Sequence, residues 1–273
     1  MKIKTLEHIE FETIITCFLS AFENYFVQLP TDKAYYKERW KIAKVNYQLS
    51  YGMFDGEQLV GFIIHAVDNR DGELIAFNTG TGVLPKYRGQ KITKAIYNYA
   101  LPDLKENGIT KCLLEVITAN KAAISAYENV GFEIIKNYKC FNGILNLNTA
   151  EPVVLKEINF NEINWKEISN LNSYSWDNQK ETIQNSSYKY FQIINNQRVE
   201  SYFVINPTNG YISQWDVLTT NKEAWENLFD GIKQISNTVI INNVEERLTN
   251  KINFLHSIGL DNTVNQYEMK LTI

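Results

Sequence analysis

The spacing of apolar and polar residues changes along the first half of the chain, and each spacing predicts a different element. Apolar side chains recur three and four positions apart over residues 11–22, which predicts a helix that faces the core. Residues 51–82 instead form short apolar runs separated by the turn pairs Asp55-Gly56 and Asp71-Gly72, and such runs predict an antiparallel meander. His65 lies in the middle run, where we expect a hydrogen-bonded sheet residue rather than a catalytic base.

Residues 79–132 continue as a strand, a basic turn that contains Gly89, a helix, a second apolar strand and a short helix that ends at Gly131. Amide groups at a helix start attract anions, so the first strand-to-helix turn has the character of a phosphate site. The sequence therefore predicts an α/β domain with an anion site at this turn.

The second half of the chain resembles the first in the order of its apolar segments. The run that begins at Gln58 recurs at Gln197, 139 residues later, and the segment around Gly131 recurs around Gly259, 128 residues later. Agreement in order and spacing favours a duplication. A chance similarity between two α/β units is the alternative.

This repeat predicts two related domains in tandem, residues 1–145 and 150–273, joined by a linker. The second copy is shorter where the phosphate turn of the first copy lies. Val217 passes almost directly into a predicted helix whose capping box begins at Thr220. We therefore interpret the second domain as a degenerate copy.

Composition narrows the classes of function. The hydrophobic fraction of 44% supports a packed core, and a net charge of −4 without a Lys/Arg block predicts neither a nucleic-acid nor a membrane partner. Cys17, Cys112 and Cys140 lack metal-ligand spacing, so we expect reduced thiols and no metal site. The N-terminal residues contain neither a signal-peptide core nor a membrane span, which predicts a cytoplasmic protein. The sequence is compatible with an oligomer but does not specify one.

The order of motifs in residues 79–132 resembles the core of the GCN5-related N-acetyltransferases (GNAT). The residues that carry this resemblance are Val83-Leu84-Pro85, Tyr87-Arg88-Gly89-Gln90, Leu114-Glu115-Val116, Asn120, Ala123-Ile124, Tyr127-Glu128 and Gly131-Phe132. The resemblance implies the GNAT fold, an α/β (α+β) architecture with a mixed sheet. It also implies direct transfer of an acetyl group from acetyl-CoA to the amine of a small molecule or peptide.

The resemblance also implies which residues bind acetyl-CoA. They are the backbone of Gly82 and Val83 near the thioester, the pyrophosphate loop of Arg88, Gly89, Gln90, Lys91, Ile92 and Thr93, and Asn120 beside the pantetheine arm. Lys91 and Thr93 depart from the family, which has small residues at both positions. Glycine lets the backbone approach a phosphate closely, although the Lys91 ammonium can itself contact one. The alternative for Asn120 is a cap of the following helix.

Two further residues match the family's proton-transfer groups. Glu115 matches the glutamate that acts as a base on the acceptor amine, and Tyr127 matches the tyrosine that acts as an acid towards the CoA thiolate. In the second copy Leu255 stands in place of Tyr127. The alternatives are a salt-bridged Glu115 and a Tyr127 that serves packing alone. The corresponding alternative function is a catalytically inactive GNAT-fold protein that binds a ligand or partner.

Aromatic residues are concentrated just after the first predicted helix. In the family this region lies over the acceptor site, so the resemblance implies that some of these rings line it. The candidates are Tyr25, Phe26, Tyr35, Tyr36 and Trp40.

Overall fold

A computed structural model describes residues 1–147, 152–219 and 223–273 of the chain. They form two compact units. The first comprises Met1–Ile135 together with Tyr267–Ile273, and the second comprises Lys136–Gln266. The division into residues 1–145 and 150–273 stays a prediction about the duplication, because compactness alone does not test it. Among the described residues, no helix combines the length and the apolar character needed to cross a lipid bilayer.

The first unit is a sheet with two helices on each face. Its elements are β1 (Lys2–Thr5), α1 (Phe11–Ala21), α2 (Lys33–Ile42), β2 (Tyr51–Asp55), β3 (Gln58–Arg70), β4 (Glu73–Val83), α3 (Ile92–Glu106), β5 (Lys111–Ile117), α4 (Lys121–Glu128) and the start of β6 (Glu133–Ile144). Strands β1 to β5 are neighbours in chain order, antiparallel except for the parallel pair β4 and β5. The predicted meander and mixed sheet are confirmed.

Two apolar cores lie on opposite faces of this sheet. Helices α3 and α4 cover one face, where Ile96, Tyr97 and Leu104 pack with Leu114 of β5. Helices α1 and α2 cover the other face, where Phe18 lies 4.6–5.7 Å, between ring centroids, from four aromatic neighbours. Consequently each side chain of β4 and β5 faces one helix pair or the other.

A β-bulge in β4 separates the ends of the two parallel strands. The register with β3 pairs Ile64 with Gly80 and His65 with Asn78, so Thr79 is the extra residue. The paired register of β4 with β5 ends at Asn78 and Leu114, although β4 continues to Val83 and β5 to Ile117. We call the region between Thr79–Val83 and Glu115–Ile117 the strand opening.

His65 is a hydrogen-bonded sheet residue, as predicted. Its side chain is fully buried in β3, and its Nδ1 atom lies 2.7 Å from the carbonyl oxygen of Leu49. Burial lowers the pKa of His65 to about 4, because the charged imidazolium would lose its hydration.

The second unit repeats the order of elements seen in the first. It includes most of β6. Its further elements are β7 (Val154–Ile158), α5 (Lys180–Ile183), β8 (Lys189–Asn195), β9 (Arg198–Asn206), β10 (Tyr211–Val217), α6 (Ala224–Ile235), β11 (Thr238–Glu245), α7 (Thr249–Ser257) and the start of β12 (Asp261–Thr272). Its strand order is β6-β11-β10-β9-β8-β7, with β10 parallel to β11. The predicted helix start at Thr220 lies outside the described residues.

The last strand of the chain completes the first unit. The amide of Ile273 donates to the carbonyl oxygen of Thr110 at 3.0 Å, next to β5. Met269 is fully buried in the core that contains Leu114. The C-terminal seven residues therefore contribute to the core of the N-terminal unit.

Candidate active site

The turn between β4 and α3 exposes an uncapped helix start. Lys91 precedes the helix in the left-handed conformation, with φ 57° and ψ 27°, and Gly89 also has a positive φ, of 78°. The Lys91 side chain makes no capping bond within the described chain, and the first helical bond runs from Ala95 N to Lys91 O at 3.0 Å. The preceding amides of the first turn, including that of Thr93, therefore lack helical partners and can bind an anion.

The charges around this turn also favour an anion. Four basic residues lie in or next to it, namely Lys86, Arg88, Lys91 and Lys94. The first turn of α3 contains no acidic residue. Gln90 and Lys91 are exposed and Thr93 is half-buried. Ile92 contributes only its backbone, because its side chain is buried in the core below α3.

Arg88 joins this turn to the end of α1. Its Nη2 atom donates to the carbonyl oxygen of Ala21 at 2.8 Å, and its Nε atom donates to that of Val83 at 3.2 Å. A guanidinium has five N–H donors, so these two bonds leave others available. Arg88 can therefore hold α1 in place and still contact a phosphate.

Gly82 and Val83, both predicted cofactor contacts, have different surroundings. Leu84 N donates to Val60 O at 2.9 Å in the antiparallel pair of β3 and β4. Successive amides of such a strand point alternately towards and away from the partner strand. The amide of Gly82 therefore faces β3, and the amide of Val83 faces the strand opening. A Cβ atom on Gly82 would lie 2.8 Å from Ala21 Cβ, too close for two carbon atoms. Glycine at position 82 is therefore required for the packing of α1.

Tyr127 lies at the strand opening within a hydrogen-bond network. Asn78 Nδ2 donates to Thr81 Oγ1 at 2.6 Å and to Tyr97 Oη at 2.8 Å. Burial raises the pKa of Tyr127 to about 12, and the nearby Thr81 and Asn78 side chains counteract the rise only in part. Asn78, Thr81 and Tyr97 were not among the site residues predicted from the sequence.

Asn120 caps α4 and contacts an aromatic residue from the segment after α1. Its Oδ1 atom accepts from Ala123 N at 3.2 Å, which confirms the capping interpretation. Burial raises the pKa of Tyr25, and the Asn120 side chain partly offsets this rise. Of the five aromatic candidates, Tyr25 thus lies next to the predicted site residues.

Glu115 approaches the strand opening from the other face of the sheet. Its neighbours Leu114 and Val116 are buried under α3 and α4, so strand alternation places the Glu115 side chain on the face of α1 and α2. Glu115 is half-buried, and its Oε1 atom is shielded from solvent. Within the described residues, no three His, Cys, Asp or Glu side chains are grouped as metal ligands would be.

The corresponding strand end of the second unit is filled by its own side chains. The hydroxyl of Tyr174 accepts from Trp215 N at 3.2 Å and donates to Trp215 O at 2.7 Å. Lys251 Nζ donates to the same carbonyl oxygen at 2.5 Å and lies 3.2 Å from Asp216 Oδ2. Burial lowers the pKa of Lys251, but Tyr174 and Asp216 outweigh burial, so the pKa is raised overall. The backbone groups of Trp215 therefore already have partners.

A cavity lies next to this strand end. Its volume is about 520 Å³, and Glu167 and Asp216 are among the residues that line it. Leu255, at the position predicted to match Tyr127, is fully buried in the core of the second unit.

Comparison with known protein sequences identifies related acetyltransferases. The chain is 30% identical over 86 residues to the mycothiol acetyltransferase of Corynebacterium glutamicum, which is 32% of this chain and 28% of that protein. It is 29% identical over 86 residues to N-alpha-acetyltransferase 30 of Schizosaccharomyces pombe, which is 31% of this chain and 57% of that protein. The matched segment therefore spans less than two thirds of each relative.

Comparison with solved structures extends to the whole chain. A tandem GNAT protein from the clavulanic acid biosynthesis pathway superposes with a TM-score of 0.71 and 11% identity, covering 99% of this chain and 98% of that one. A GCN5-related N-acetyltransferase from Sphaerobacter thermophilus superposes with a TM-score of 0.67 and 9% identity, covering 99% and 95%. At these identities the likeness concerns the fold, which is that of a tandem GNAT protein.

The family assignment rests on the sequence of the first unit. Residues 14–132 match the acetyltransferase (GNAT) family. This range begins in α1 and ends just after α4, so it includes the turn before α3, the strand opening and Tyr127. The first unit therefore belongs to the GNAT family of acetyltransferases.

Proposed function

We propose that this protein is an N-acetyltransferase that uses acetyl-CoA and acts through its first unit. The observation that carries the proposal is the uncapped start of α3, with left-handed Gly89 and Lys91, next to a strand opening that contains Tyr127. Acetyl-CoA supplies the activated acetyl group. The three buried free thiols fit a reducing compartment, so we propose a cytoplasmic location.

The residues present fit acetyl-CoA. The first-turn amides of α3 would hold the pyrophosphate, including those of Ile92 and Thr93, with the charges of Lys91 and Arg88 nearby. Gly89 and Gln90 form the turn that leads to this site. The amide of Val83 faces the strand opening, where it can donate to the thioester oxygen. Asn120 would border the pantetheine arm.

In this proposal Tyr127 donates a hydrogen bond to the thioester sulfur. Burial raises its pKa to about 12, whereas a thiol has a pKa of about 8.5. Full transfer of its proton to the thiolate would therefore be unfavourable by roughly 5 kcal/mol. A hydrogen bond that stabilises the developing negative charge avoids this cost, and the final proton can come from solvent.

Glu115 would remove a proton from the acceptor amine. An alkyl ammonium group has a pKa of about 10 and must lose a proton before it can attack. A half-buried carboxylate on the face of α1 and α2 can accept this proton directly or through one water molecule. Tyr127 belongs to α4 and lies in the core on the face of α3 and α4, so the two groups would act on the acceptor and on the leaving group from opposite sides.

The names of the relatives guide the choice of acceptors. One relative is named for a small molecule, mycothiol, and the other for N-alpha acetylation. We therefore propose a screen of small amines and of peptides with free α-amino groups, with thiol release from acetyl-CoA as the measurement. Turnover above spontaneous hydrolysis for one class is the expected result.

A substitution tests the assignment of Tyr127. We expect Tyr127→Phe to lower kcat by roughly 10- to 1000-fold with CoA affinity nearly unchanged, because the ring still fills the core. Tyr35→Phe is the matched control, since Tyr35 is exposed on α2.

Lys91 favours a second function, that of a non-catalytic CoA-binding protein, because its backbone is strained at a position where the family has a small residue. CoA binding without turnover for any acceptor class would support that alternative.

A further inference from the structure

The side chain of Asn78 joins three groups at the start of the strand opening. Its Oδ1 atom accepts from Gly80 N at 3.1 Å, across the extra residue of the bulge. Its Nδ2 atom donates to Thr81 Oγ1 at 2.6 Å and to Tyr97 Oη at 2.8 Å. Asn78 therefore holds the bulge of β4 and connects it to α3.

These bonds determine the direction of hydrogen bonding in the network. The amide of Gly80 can only donate, so the Asn78 atom that it meets is the carbonyl oxygen and the other atom is the NH2 group. An NH2 group carries two N–H donors, and the two hydroxyl oxygens accept them. Neither bond uses a hydroxyl proton, so Thr81 can donate its own proton to a further acceptor.

Thr81 is the member of this network that a ligand can reach. Asn78 is 6% exposed and Tyr97 is fully buried, whereas Thr81 is half-buried within the strand opening. The ring of Tyr97 is in edge-to-face contact with that of Tyr127, with ring centroids 6.5 Å apart. Through Asn78 and Tyr97, the Thr81 hydroxyl therefore belongs to the face of the sheet where Tyr127 lies.

The position of Thr81 along β4 indicates which part of acetyl-CoA it meets. The proposed pyrophosphate turn begins at Arg88, and Val83 lies between that turn and Thr81. The thioester is the end of the arm that is remote from the pyrophosphate, and Tyr127 is proposed to act at its sulfur. A hydroxyl on the face of Tyr127, farther from the turn than Val83, therefore lies towards the thioester.

We propose that the Thr81 hydroxyl donates a hydrogen bond to the thioester carbonyl oxygen of acetyl-CoA, with Asn78 as the positioning residue that orients it. This oxygen acquires negative charge when the acceptor attacks the thioester, and a donor that is already oriented stabilises that charge. The proposal rests on the proposed acetyl-CoA site and adds a side-chain donor to the backbone amide of Val83.

The test compares acetyl-CoA with S-ethyl-CoA, in which a CH2 group replaces the thioester carbonyl. Calorimetry gives the affinity of each ligand for the wild type and for Thr81→Val, which keeps the branched shape of the side chain and loses the hydroxyl. A neutral hydrogen bond contributes roughly 2- to 10-fold in affinity. We therefore expect Thr81→Val to bind acetyl-CoA more weakly by this factor and to bind S-ethyl-CoA as the wild type does.

Infrared spectroscopy of bound acetyl-CoA, isotopically labelled at the thioester carbonyl carbon, observes the same hydrogen bond directly. A hydrogen bond weakens the C=O bond and lowers its stretching wavenumber, so we expect a shift to higher wavenumber in Thr81→Val. Thr81→Ser keeps a hydroxyl and should restore the wild-type value. Thr110→Val is the matched control, because Thr110 is exposed next to β5, and it should change neither measurement.

Asn78→Asp tests the positioning role of Asn78. The carboxylate can still accept from Gly80 N, but it has no N–H donor and accepts the hydroxyl proton of Thr81 instead. This variant should therefore show the same carbonyl shift as Thr81→Val, and thermal unfolding checks that each variant is folded. An unshifted carbonyl in a folded Asn78→Asp would exclude Asn78 as the positioning residue.

The outcomes separate this inference from the proposed function. If neither acetyl-CoA nor S-ethyl-CoA binds the wild type, the proposed acetyl-CoA site is wrong, and the role of Thr81 with it. If both bind and Thr81→Val changes neither the affinity for acetyl-CoA nor the carbonyl wavenumber, the site stands and the role of Thr81 is wrong. Equal weakening of both ligands in Thr81→Val would also overturn the proposal, because the hydroxyl would then act elsewhere than at the thioester carbonyl.

Discussion

Replacement of Lys91 by glycine separates the two properties of this residue, its backbone conformation and its charge. The left-handed conformation of Lys91 is unfavourable for a residue with a Cβ atom by roughly 1–2 kcal/mol. Glycine removes this strain but makes the unfolded chain more flexible, which lowers the free energy of unfolding by roughly 0.4–1 kcal/mol. From the middle of these ranges, we expect Lys91→Gly to raise the free energy of unfolding of the first unit by about 0.8 kcal/mol.

Lys91→Ala is the matched control, because alanine keeps the Cβ atom and removes only the charged chain. We expect no comparable stabilisation in this variant. Both variants lose the ammonium, and an exposed ion pair contributes roughly 0.2–1 kcal/mol. CoA should therefore bind Lys91→Ala up to about fivefold more weakly. The Gly variant should bind CoA at least as well as the Ala variant, because its backbone can approach the phosphates more closely.

Denaturant unfolding measures the first effect and calorimetry with CoA measures the second. A truncated CoA analogue without the pyrophosphate should bind the two variants and the wild type equally. Equal stability of the Gly and Ala variants would refute the interpretation of strain at position 91. Unchanged CoA affinity in Lys91→Ala would show that the ammonium is a solvated surface charge.

Three further predictions concern the base, the number of sites and the buried histidine. Once an acceptor is found, Glu115→Gln should flatten the acid limb of the pH–rate profile, and an unchanged limb would exclude Glu115 as the base. Calorimetry should give one CoA per chain, and Arg88→Glu combined with Gly89→Trp should abolish binding; a stoichiometry near two would contradict this. Burial lowers the pKa of His65 from 6.5 to about 4, so the folded state binds the imidazole proton more weakly than the unfolded state does. Stability should therefore be highest above pH 6.5. It should fall by about 3 kcal/mol as the pH drops from 6.5 towards 4, and His65→Gln should make this dependence shallower.

Features that depend on neighbouring residues could be predicted from the sequence. Apolar spacing and turn pairs predicted the meander, and the order of strand, turn and helix predicted where α3 begins. The face occupied by Glu115 also follows from local alternation, because successive side chains of a strand point to opposite faces. Asn120 as a helix cap is a further example, since its partner Ala123 is three residues away.

Features that depend on remote contacts were decided by the tertiary structure. Arg88 bonds to a carbonyl group 67 positions earlier, and Asn120 influences the pKa of Tyr25, a residue from a different segment of the chain. Neither contact leaves a local signal, because residue spacing specifies which face of an element a side chain occupies but not which distant side chain meets it. Asn78 and Thr81 could have been noticed as polar residues within an apolar strand, but their connection to Tyr127 required the fold.

The two units illustrate the same division. Sequence order alone predicted a second copy without a phosphate turn, since the short junction after Val217 is a local property. Only the tertiary structure determined that Tyr174 and Lys251 complete the hydrogen bonds of Trp215, and that the last strand of the chain packs in the first unit. These contacts join residues far apart in the sequence, and their formation depends on the packing of whole elements, which no short segment of sequence specifies.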